Sequence, residues 1–565
     1  MRIPVGQRVR RTWQARWRGH GAGPGQALLR EQGPRQDAGQ PPVLLRSRRA
    51  RGAAAVVAGA LPALAFPEPS LWWFAYLALV PWMLLLRTAS SARIAAVEGW
   101  LGGAGFMIAV HHWLLPSLHV FLLVLAAFLG LLWAPWGVLV RSMLGGAPSL
   151  ARAAAAVAVV PAGWLMIELA RSWEGLGGPW GLLGASQWEV PPALRLASVG
   201  GVWLVSLLVV AVNTVAVLLA AVRSARVPAV AGTALCATTV ASAWVWAPQP
   251  QEWGRARIAV VQPGVVGGIG SVERRFDRGE QLTRELAGRD LDLVVWGESS
   301  VGADLGLRPD LAERLAALSR EVGAPVLVNV DARSEGASGP AGIYKSSVLV
   351  GPAGLTGDRY DKMRLVPFGE YIPARSLLGW VTSVGRAAGE DRLRGRAPVV
   401  MALPGDATAL RLGPLVCFES AFADMSRRLT RDGAQVLVAQ SATSSFQDSW
   451  APEQHASLAA LRAAESGRPM VHATLTGVSA VHAAGGEQIG GPLGTDRSTA
   501  AVYAVPLVTG ETLYVRYGDW AVYASAALLL AMGAAGGVRS LRRPAPGPAA
   551  PHARTARESA ARPVR

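Results

Sequence analysis

The sequence predicts a multi-pass α-helical membrane protein, about eight transmembrane helices in all, with an inserted α/β domain. Three observations predict it. Hydrophobic residues make up 51% of the chain and charged residues only 16%, an unusual balance for an ordinary soluble enzyme. Apolar runs approaching the ~20 residues needed to cross a bilayer recur along the chain. Between the last two of them lies a long polar region in which short apolar runs alternate with amphipathic helical patterns, the rhythm of a layered α/β sheet.

The net charge of +17 sits almost wholly in two tails, residues 1–51 and 538–565, which carry sixteen of the seventeen charges. Both are rich in Pro, Gly, Ala and Arg without hydrophobic periodicity and are expected to be disordered. Arg-rich flanks of membrane segments belong on the cytoplasmic side. No basic face with interleaved aromatics appears between the tails, so nucleic acid is not an expected partner.

The expected spans are Gly52–Pro67, Leu71–Leu86, Ala95–Leu115, Val120–Val140, Ala153–Ala170, Leu196–Val222 and Val227–Trp246, within a membrane region at 52–247. An eighth, Trp520–Val538, lies in a C-terminal membrane segment at 519–538, and a basic tail follows at 539–565. The first span is short and broken by Pro62, and its fifty-residue Arg-rich leader is too long for the start of a signal peptide. Seven crossings place the 253–508 region opposite the N-terminus. The loops bearing Arg87 and Arg93, Arg141 and Arg152, and Arg223 and Arg226 then fall on the same side as both tails, whereas Glu68–Ser70 and Pro116–His119 carry no Lys or Arg. That side is expected to be the cytoplasm.

Arg171–Arg195 interleaves Trp173, Trp180 and Trp188 with five glycines and reads as a loop resting in the headgroup region. Glu168, a carboxylate inside the fifth span, is either functional or an interfacial partner of Arg171.

In the 253–508 region, Arg257–Gln262, Leu291–Trp296, Val326–Val330, Ser346–Val350, Leu410–Cys417 and Gln435–Gln440 read as strands buried on both faces. Val272–Gly288, Pro309–Val322, Ser420–Asp432 and Pro452–Gly467 read as helices. Three strand ends present a carboxylate, an amine and a thiol, namely Glu298, Lys362 and Cys417, and are expected along one sheet edge. A thiol attacks as thiolate, so it needs a base and a nearby cation. Glu298 suits the first role. Lys362 suits the second, and also the oxyanion of a tetrahedral intermediate. Glu370 and Glu419 read as groups that orient Lys362. The other cysteine, Cys236, lies in an apolar run. No cofactor or metal is expected, there being no Cys/His cluster of ligand spacing.

These segments resemble a known family. Val294-Val-Trp-Gly-Glu298, Asp361-Lys-Met-Arg-Leu-Val-Pro-Phe-Gly-Glu-Tyr-Ile-Pro373 and Val416-Cys-Phe-Glu419 look like the three catalytic segments of the nitrilase superfamily. The Leu365–Pro373 wording is similar to its membrane branch, the apolipoprotein N-acyltransferases. So are Trp180…Trp188, Leu196–Trp203, Arg462–Pro469 and Tyr514…Trp520. The resemblance implies a nitrilase-like αββα sandwich outside the cytoplasmic membrane of a bacterium, with both termini cytoplasmic. It implies transfer of an acyl chain from a phospholipid through a thioester on Cys417 to a diacylated apolipoprotein. Glu298 would be the base, Lys362 the oxyanion partner, and Glu370 and Glu419 further essential acids. The competing reading of the same residues is a membrane-anchored amidase that uses water as acceptor. The chain departs from the family at Gln440–Phe446, where Asn-Asp-Ala-Trp-Phe is usual, at the Gly-rich Pro263–Gly270, which lacks a Trp, and at Phe418, where Tyr is commoner.

Overall fold

The computed structural model describes residues 47–268, 270–334, 341–373, 375, 391–404 and 410–541, the side chains of 537–541 excepted. The tails expected at 1–51 and 539–565 lie outside the described residues except at their inner ends. Arg48–Arg51 form the first turn of helix α1 (Arg48–Ala60). From α1, Arg51 reaches a carboxylate oxygen of buried Glu98 at 2.6 Å.

The helical region follows the apolar runs, but local chemistry breaks several of them. Pro62 converts the end of the first run into a 3-10 turn, Leu61–Ala65. The second run is a 3-10 turn, Trp72–Tyr76, followed by α2 (Val80–Arg87). Ser91 caps α3 (Ala92–Val110) by accepting from the Ile94 N–H. A short α4 (Leu115–Leu118) follows. The fourth run splits into α5 (Phe121–Gly130) and α6 (Trp133–Leu144), bent by 41°. α7 (Leu150–Arg171) carries Pro161 without ending. α8 (Pro191–Ala221) is broken at Gly200–Gly201, and α9 (Arg226–Trp246) ends the region. Trp82, Trp133, Trp136 and Trp164 pack edge to face at its centre, all buried. By length and composition, four helices among the described residues are long and apolar enough to cross a membrane: Ala92–Val110, Leu150–Arg171, Pro191–Ala221 and Arg223–Trp246. The bent pair α5–α6, taken as one span, makes a fifth.

The polar region folds into two sheets packed face to face with helices outside. The first sheet has the order β11-β1-β2-β3-β4-β5 and the second β10-β9-β8-β7-β6. Their strands are β1 (Gln251–Gln262), β2 (Leu293–Trp296), β3 (Val326–Ser334), β4 (Gly342–Gly351), β5 (Gly354–Asp361), β6 (Met401–Ala402), β7 (Arg411–Val416), β8 (Val436–Ser441), β9 (Met470–Thr474), β10 (Ala480–His482) and β11 (Thr499–Thr509). Pairing is parallel at the centre of each sheet and antiparallel at the margins. Parallel central strands need cover on both faces, and alternate residues supply it. Ile258 and Val260 of β1 face the second sheet. Ala259 and Val261 face α10 (Ser271–Arg284) and α11 (Pro309–Val322) through Phe276, Leu311 and Leu315. The second sheet is covered by α12 (Ala423–Arg431) and α13 (Ala451–Ser466), and the chain returns through α14 (Leu513–Tyr517) to α15 (Trp520–Leu541).

The expected headgroup loop at 171–195 is tied down rather than loosely resting. Glu168 accepts from Trp164 Nε1 at 2.9 Å and from the Leu183 N–H at 2.7 Å, while Arg171 donates to the Trp180 and Gly181 carbonyls. Both residues therefore clamp this loop, and Leu182–Gln187 are buried.

Candidate active site

The carboxylate, amine and thiol do meet, but not on one sheet edge. Glu298 follows β2 and Lys362 follows β5 of the first sheet, whereas Cys417 follows β7 of the second. The site lies at the seam between the sheets, which apolar strand patterns alone do not distinguish from a single sheet. Gly297 explains how the seam closes there. A Cβ at this position would lie 2.0 Å from the Leu475 backbone nitrogen, so only glycine lets β2 deliver Glu298 against the other sheet.

Cys417 adopts φ +52°, an uncommon conformation for a residue with a side chain. It opens a tight turn, Cys417–Ala421, which leaves the cysteine partly exposed although its neighbours on both sides are buried. Cys236, on α9, is remote in sequence and takes no part.

Lys362 is almost wholly buried, and its ammonium donates to Glu370 Oε1 at 2.9 Å and lies 3.3 Å from Glu298 Oε1. Burial alone would strip its charge. The carboxylates of Glu298 and Glu370 outweigh burial and hold the ammonium well above the usual lysine range. Glu370 is itself fixed, its second oxygen accepting from the Val366 N–H at 2.9 Å.

Glu419 does something different from the expected orienting of Lys362. It is fully buried and makes no bond to the ammonium. One oxygen accepts from Tyr360 OH at 2.7 Å and from the N–H groups of Met363 and Arg364 at 2.7 and 3.0 Å. The other accepts from the Val416 N–H at 2.8 Å. Glu419 thus stitches the chain on either side of Lys362 to the residue before Cys417. Burial pushes its carboxyl up, and these donors pull it back.

Lys362 favours the thiolate, as expected, but it is outweighed. Burial and the negative charge of Glu298, with a thiol–carboxylate hydrogen bond, push Cys417 well up, and Lys362 opposes this only in part. The cation is already shared by two carboxylates. The resting nucleophile is therefore a thiol facing a carboxylate, an arrangement suited to proton removal during attack.

Two site residues escaped the sequence reading. Tyr360 is the buried donor to Glu419, placed by the end of β5 just before Lys362. His455, on α13, has Nε2 3.1 Å from the Cys417 carbonyl oxygen and 3.0 Å from Ser420 Oγ. Burial lowers its pKa to about 4, so the ring is neutral and braces the turn. An isolated histidine on a helix gave no signal of this.

Aromatic contacts join the site to the helical region. Trp180 donates to Gln454 Oε1 at 2.8 Å and its ring centroid lies 5.6 Å from that of His455. Trp113 packs on Phe446, inside the segment where the chain departs from the family wording, and Phe368 of the Lys362 loop meets Phe121 of α5 at 5.6 Å. Gln440 cross-links the sheets: its amide donates to the Trp296 carbonyl at 2.8 Å and accepts from Ser347 Oγ at 2.5 Å. Among the described residues, no group of three or more His, Cys, Asp or Glu is arranged to hold a metal ion.

Residues 58–215 match the apolipoprotein N-acyltransferase N-terminal domain, and residues 257–513 match the carbon-nitrogen hydrolase family. An apolipoprotein N-acyltransferase of Azotobacter vinelandii is 31% identical over 528 residues, covering 88% of this chain and 96% of that protein. The apolipoprotein N-acyltransferase of Geobacter metallireducens is 29% identical over 510 residues, covering 85% and 94%. Apolipoprotein N-acyltransferase 1 of Treponema pallidum is 31% identical over 558 residues, covering 88% and 97%. Among solved structures, a CN-hydrolase superfamily protein of Xanthomonas campestris aligns with 45% of this chain and 91% of its own, at 18% identity and a TM-score of 0.34. With a membrane-type helical region, a nitrilase-like α/β sandwich and near full-length similarity to these relatives, the chain belongs to the apolipoprotein N-acyltransferase family and is an acyl-transferring enzyme.

Proposed function

We propose that the protein moves an acyl chain from a phospholipid to the α-amine of the diacylglyceryl-cysteine of an apolipoprotein, by way of a thioester on Cys417. The observation that carries this reading is the buried cluster in which Lys362 lies between Glu298 and Glu370 beside the Cys417 turn.

In the first half-reaction Glu298 takes the thiol proton as sulfur attacks the ester carbonyl carbon. The Lys362 ammonium faces the oxyanion that forms. The tetrahedral species collapses as the C–O bond breaks. Glu298 returns its proton to the leaving alkoxide, and a lysophospholipid departs. In the second half-reaction the lipopeptide amine attacks the thioester carbonyl and Glu298 accepts an amine proton; the C–S bond then breaks, Glu298 gives that proton to the departing sulfur, and the amide leaves with the thiol restored. Glu370 holds Lys362, and Glu419 holds the Lys362 segment against the nucleophile turn. The contact of Phe368 with Phe121 sets the Lys362 loop against the membrane-type helical region. Water exclusion protects the thioester until the amine arrives.

The same proposal includes eight spans within 52–247 and 519–538, with the 253–508 domain on the extracytoplasmic face of a bacterial cytoplasmic membrane and both termini inside. The one-sided placement of Arg87, Arg93, Arg141, Arg152, Arg223 and Arg226 supports it. An impermeant thiol reagent applied to intact cells should label Asp496→Cys and spare Ser90→Cys in a background free of native cysteines. Equal labelling would contradict the topology.

Activity is tested by adding a diacylated lipopeptide and phospholipid to the purified enzyme. Wild type should N-acylate the peptide, and Cys417→Ala should not. N-acylation by Cys417→Ala overturns the mechanism. Release of free fatty acid regardless of lipopeptide would indicate the hydrolytic alternative.

A further inference from the structure

Three sequence motifs play no part in the chemistry above, yet they meet at one place. The first is Val199-Gly-Gly-Val-Trp203, where α8 breaks: Gly200 and Gly201 leave helical geometry, Gly201 at φ +70°. A Cβ on Gly201 would lie 2.6 Å from the Tyr514 ring. The break leaves the first N–H groups of the second half-helix without helical acceptors.

The second motif, Arg462-Ala-Ala-Glu465 on α13 of the catalytic domain, supplies an acceptor. Glu465 Oε1 takes the Val202 N–H at 2.6 Å, a carboxylate at the positive end of a half-helix. The third, Tyr514…Asp519-Trp520, closes the junction. Asp519 Oδ1 accepts from Trp203 Nε1 at 3.0 Å and Tyr514 OH at 2.8 Å, and Trp520 Nε1 donates to the Val199 carbonyl at 2.9 Å.

From this junction a path of one ion pair and one hydrogen bond runs to the nucleophile turn. Glu465 pairs with Arg462 at 2.8 Å, both side chains being 1% exposed. Arg462 Nη1 donates to the Ala421 carbonyl at 2.8 Å, at the end of the Cys417–Ala421 turn. Val202, Trp203, Ala421, Arg462 and Tyr514 also wall a cavity of about 450 Å³ beside this path.

We infer that Arg462 and Glu465 are positioning residues, which hold the Cys417 turn in register with the break in α8 and so with the membrane region that delivers lipid. The inference rests on the reading of Cys417 as nucleophile. A fully buried ion pair within one helix, α13, is costly to keep. Here it ends on a backbone carbonyl of the nucleophile turn, where an error of about 1 Å costs on the order of 100-fold in rate.

The test uses full-length enzyme in nanodiscs of a single phospholipid. Two rates are measured: thioester formation on Cys417 without acceptor, and alkylation of Cys417 by iodoacetamide. Alkylation needs the thiol but no register with lipid. Glu465→Ala should slow thioester formation at least tenfold and change alkylation less than twofold. Glu465→Gln, whose amide oxygen still accepts from Val202, should recover most of the rate. Arg462→Lys keeps a charge beside Glu465 but loses the reach to Ala421, and should slow thioester formation about fivefold even if Glu465→Ala fails to fold. Thioester formation within twofold of wild type in Arg462→Lys and in folded Glu465→Ala overturns the inference. A parallel fall in alkylation also overturns it. Absence of thioester in wild type would instead defeat the nucleophile reading.

Discussion

Replacing Glu419 by glutamine isolates the stitch between the Lys362 segment and the Cys417 turn. Glutamine has one carbonyl oxygen where the carboxylate has two. Its lower-cost orientation keeps the oxygen facing Tyr360, Met363 and Arg364 and turns the NH2 toward Val416, whose N–H bonds the second carboxylate oxygen at 2.8 Å. Two donors then face each other, and the Val416 N–H loses its partner at a cost of about 1–3 kcal/mol. The remaining three bonds change from charge-assisted to neutral and together lose on the order of another 2 kcal/mol. Relief of a buried charge offsets part of this, since burial pushes the Glu419 carboxyl up. The net loss is about 3 kcal/mol, or roughly 6–12 °C in apparent Tm for a domain of this size. Thermal unfolding in detergent, followed by thioester formation on Cys417, reads both effects, and acylation should fall at least 100-fold because Lys362 and Cys417 are no longer held together. An apparent Tm within 1 °C of wild type, with more than half the acylation rate, would refute the reasoning.

Two further perturbations separate charge from packing. Lys362→Met removes the cation between Glu298 and Glu370 and should cost about 10²–10³-fold in acylation, as for loss of an oxyanion donor; a loss under tenfold would count against Lys362 as that partner. Acid should destabilise the domain through His455, His472 and His482, which burial keeps neutral: the pKa is lowered to about 4 for His455 and His482 and well below the usual value for His472. Because the folded values are depressed, this stability is fully present above the unfolded pKa of about 6.5 and is lost as pH falls toward 4, by roughly 3 kcal/mol for a shift from 6.5 to 4. His482→Leu should therefore flatten the fall of apparent Tm between pH 7 and 4.5, and an unchanged slope would contradict this.

The strands that carry Glu298 and Cys417 were legible because they are central and parallel. β2, β7 and β8 are buried on both faces and read as unbroken apolar runs that stop at a polar residue. β5, with the sequence Gly-Leu-Thr-Gly-Asp-Arg-Tyr-Asp, is a half-exposed edge and gave no such run. β11 contains Pro506 and alternates in burial, and β9 and β10 are too short to stand out. The division into two sheets, which the family resemblance implied, was invisible in the strand patterns themselves for a related reason: whether consecutive buried strands share a sheet depends on cross-sheet contacts such as Gln440 with Trp296, which leave no local pattern. The break in α8 was likewise hidden, because Gly200 and Gly201 sit in an otherwise continuous apolar run and their missing acceptor comes from Glu465, 263 residues away. The motif around Lys362 was readable as chemistry. Glu370 and Glu419 were readable as its supporting carboxylates, while Tyr360 and His455 were readable only in three dimensions.

The central claim is that Cys417 carries the acyl chain between two lipids. The direct measurement incubates the enzyme with phospholipid bearing an isotopically labelled acyl chain and no acceptor, then weighs the peptide containing Cys417. The account predicts one labelled acyl group on that cysteine, labile to hydroxylamine, which disappears as an equal amount of labelled amide forms on added diacylated lipopeptide. Labelled amide appearing on the lipopeptide while Cys417 never carries label would contradict it.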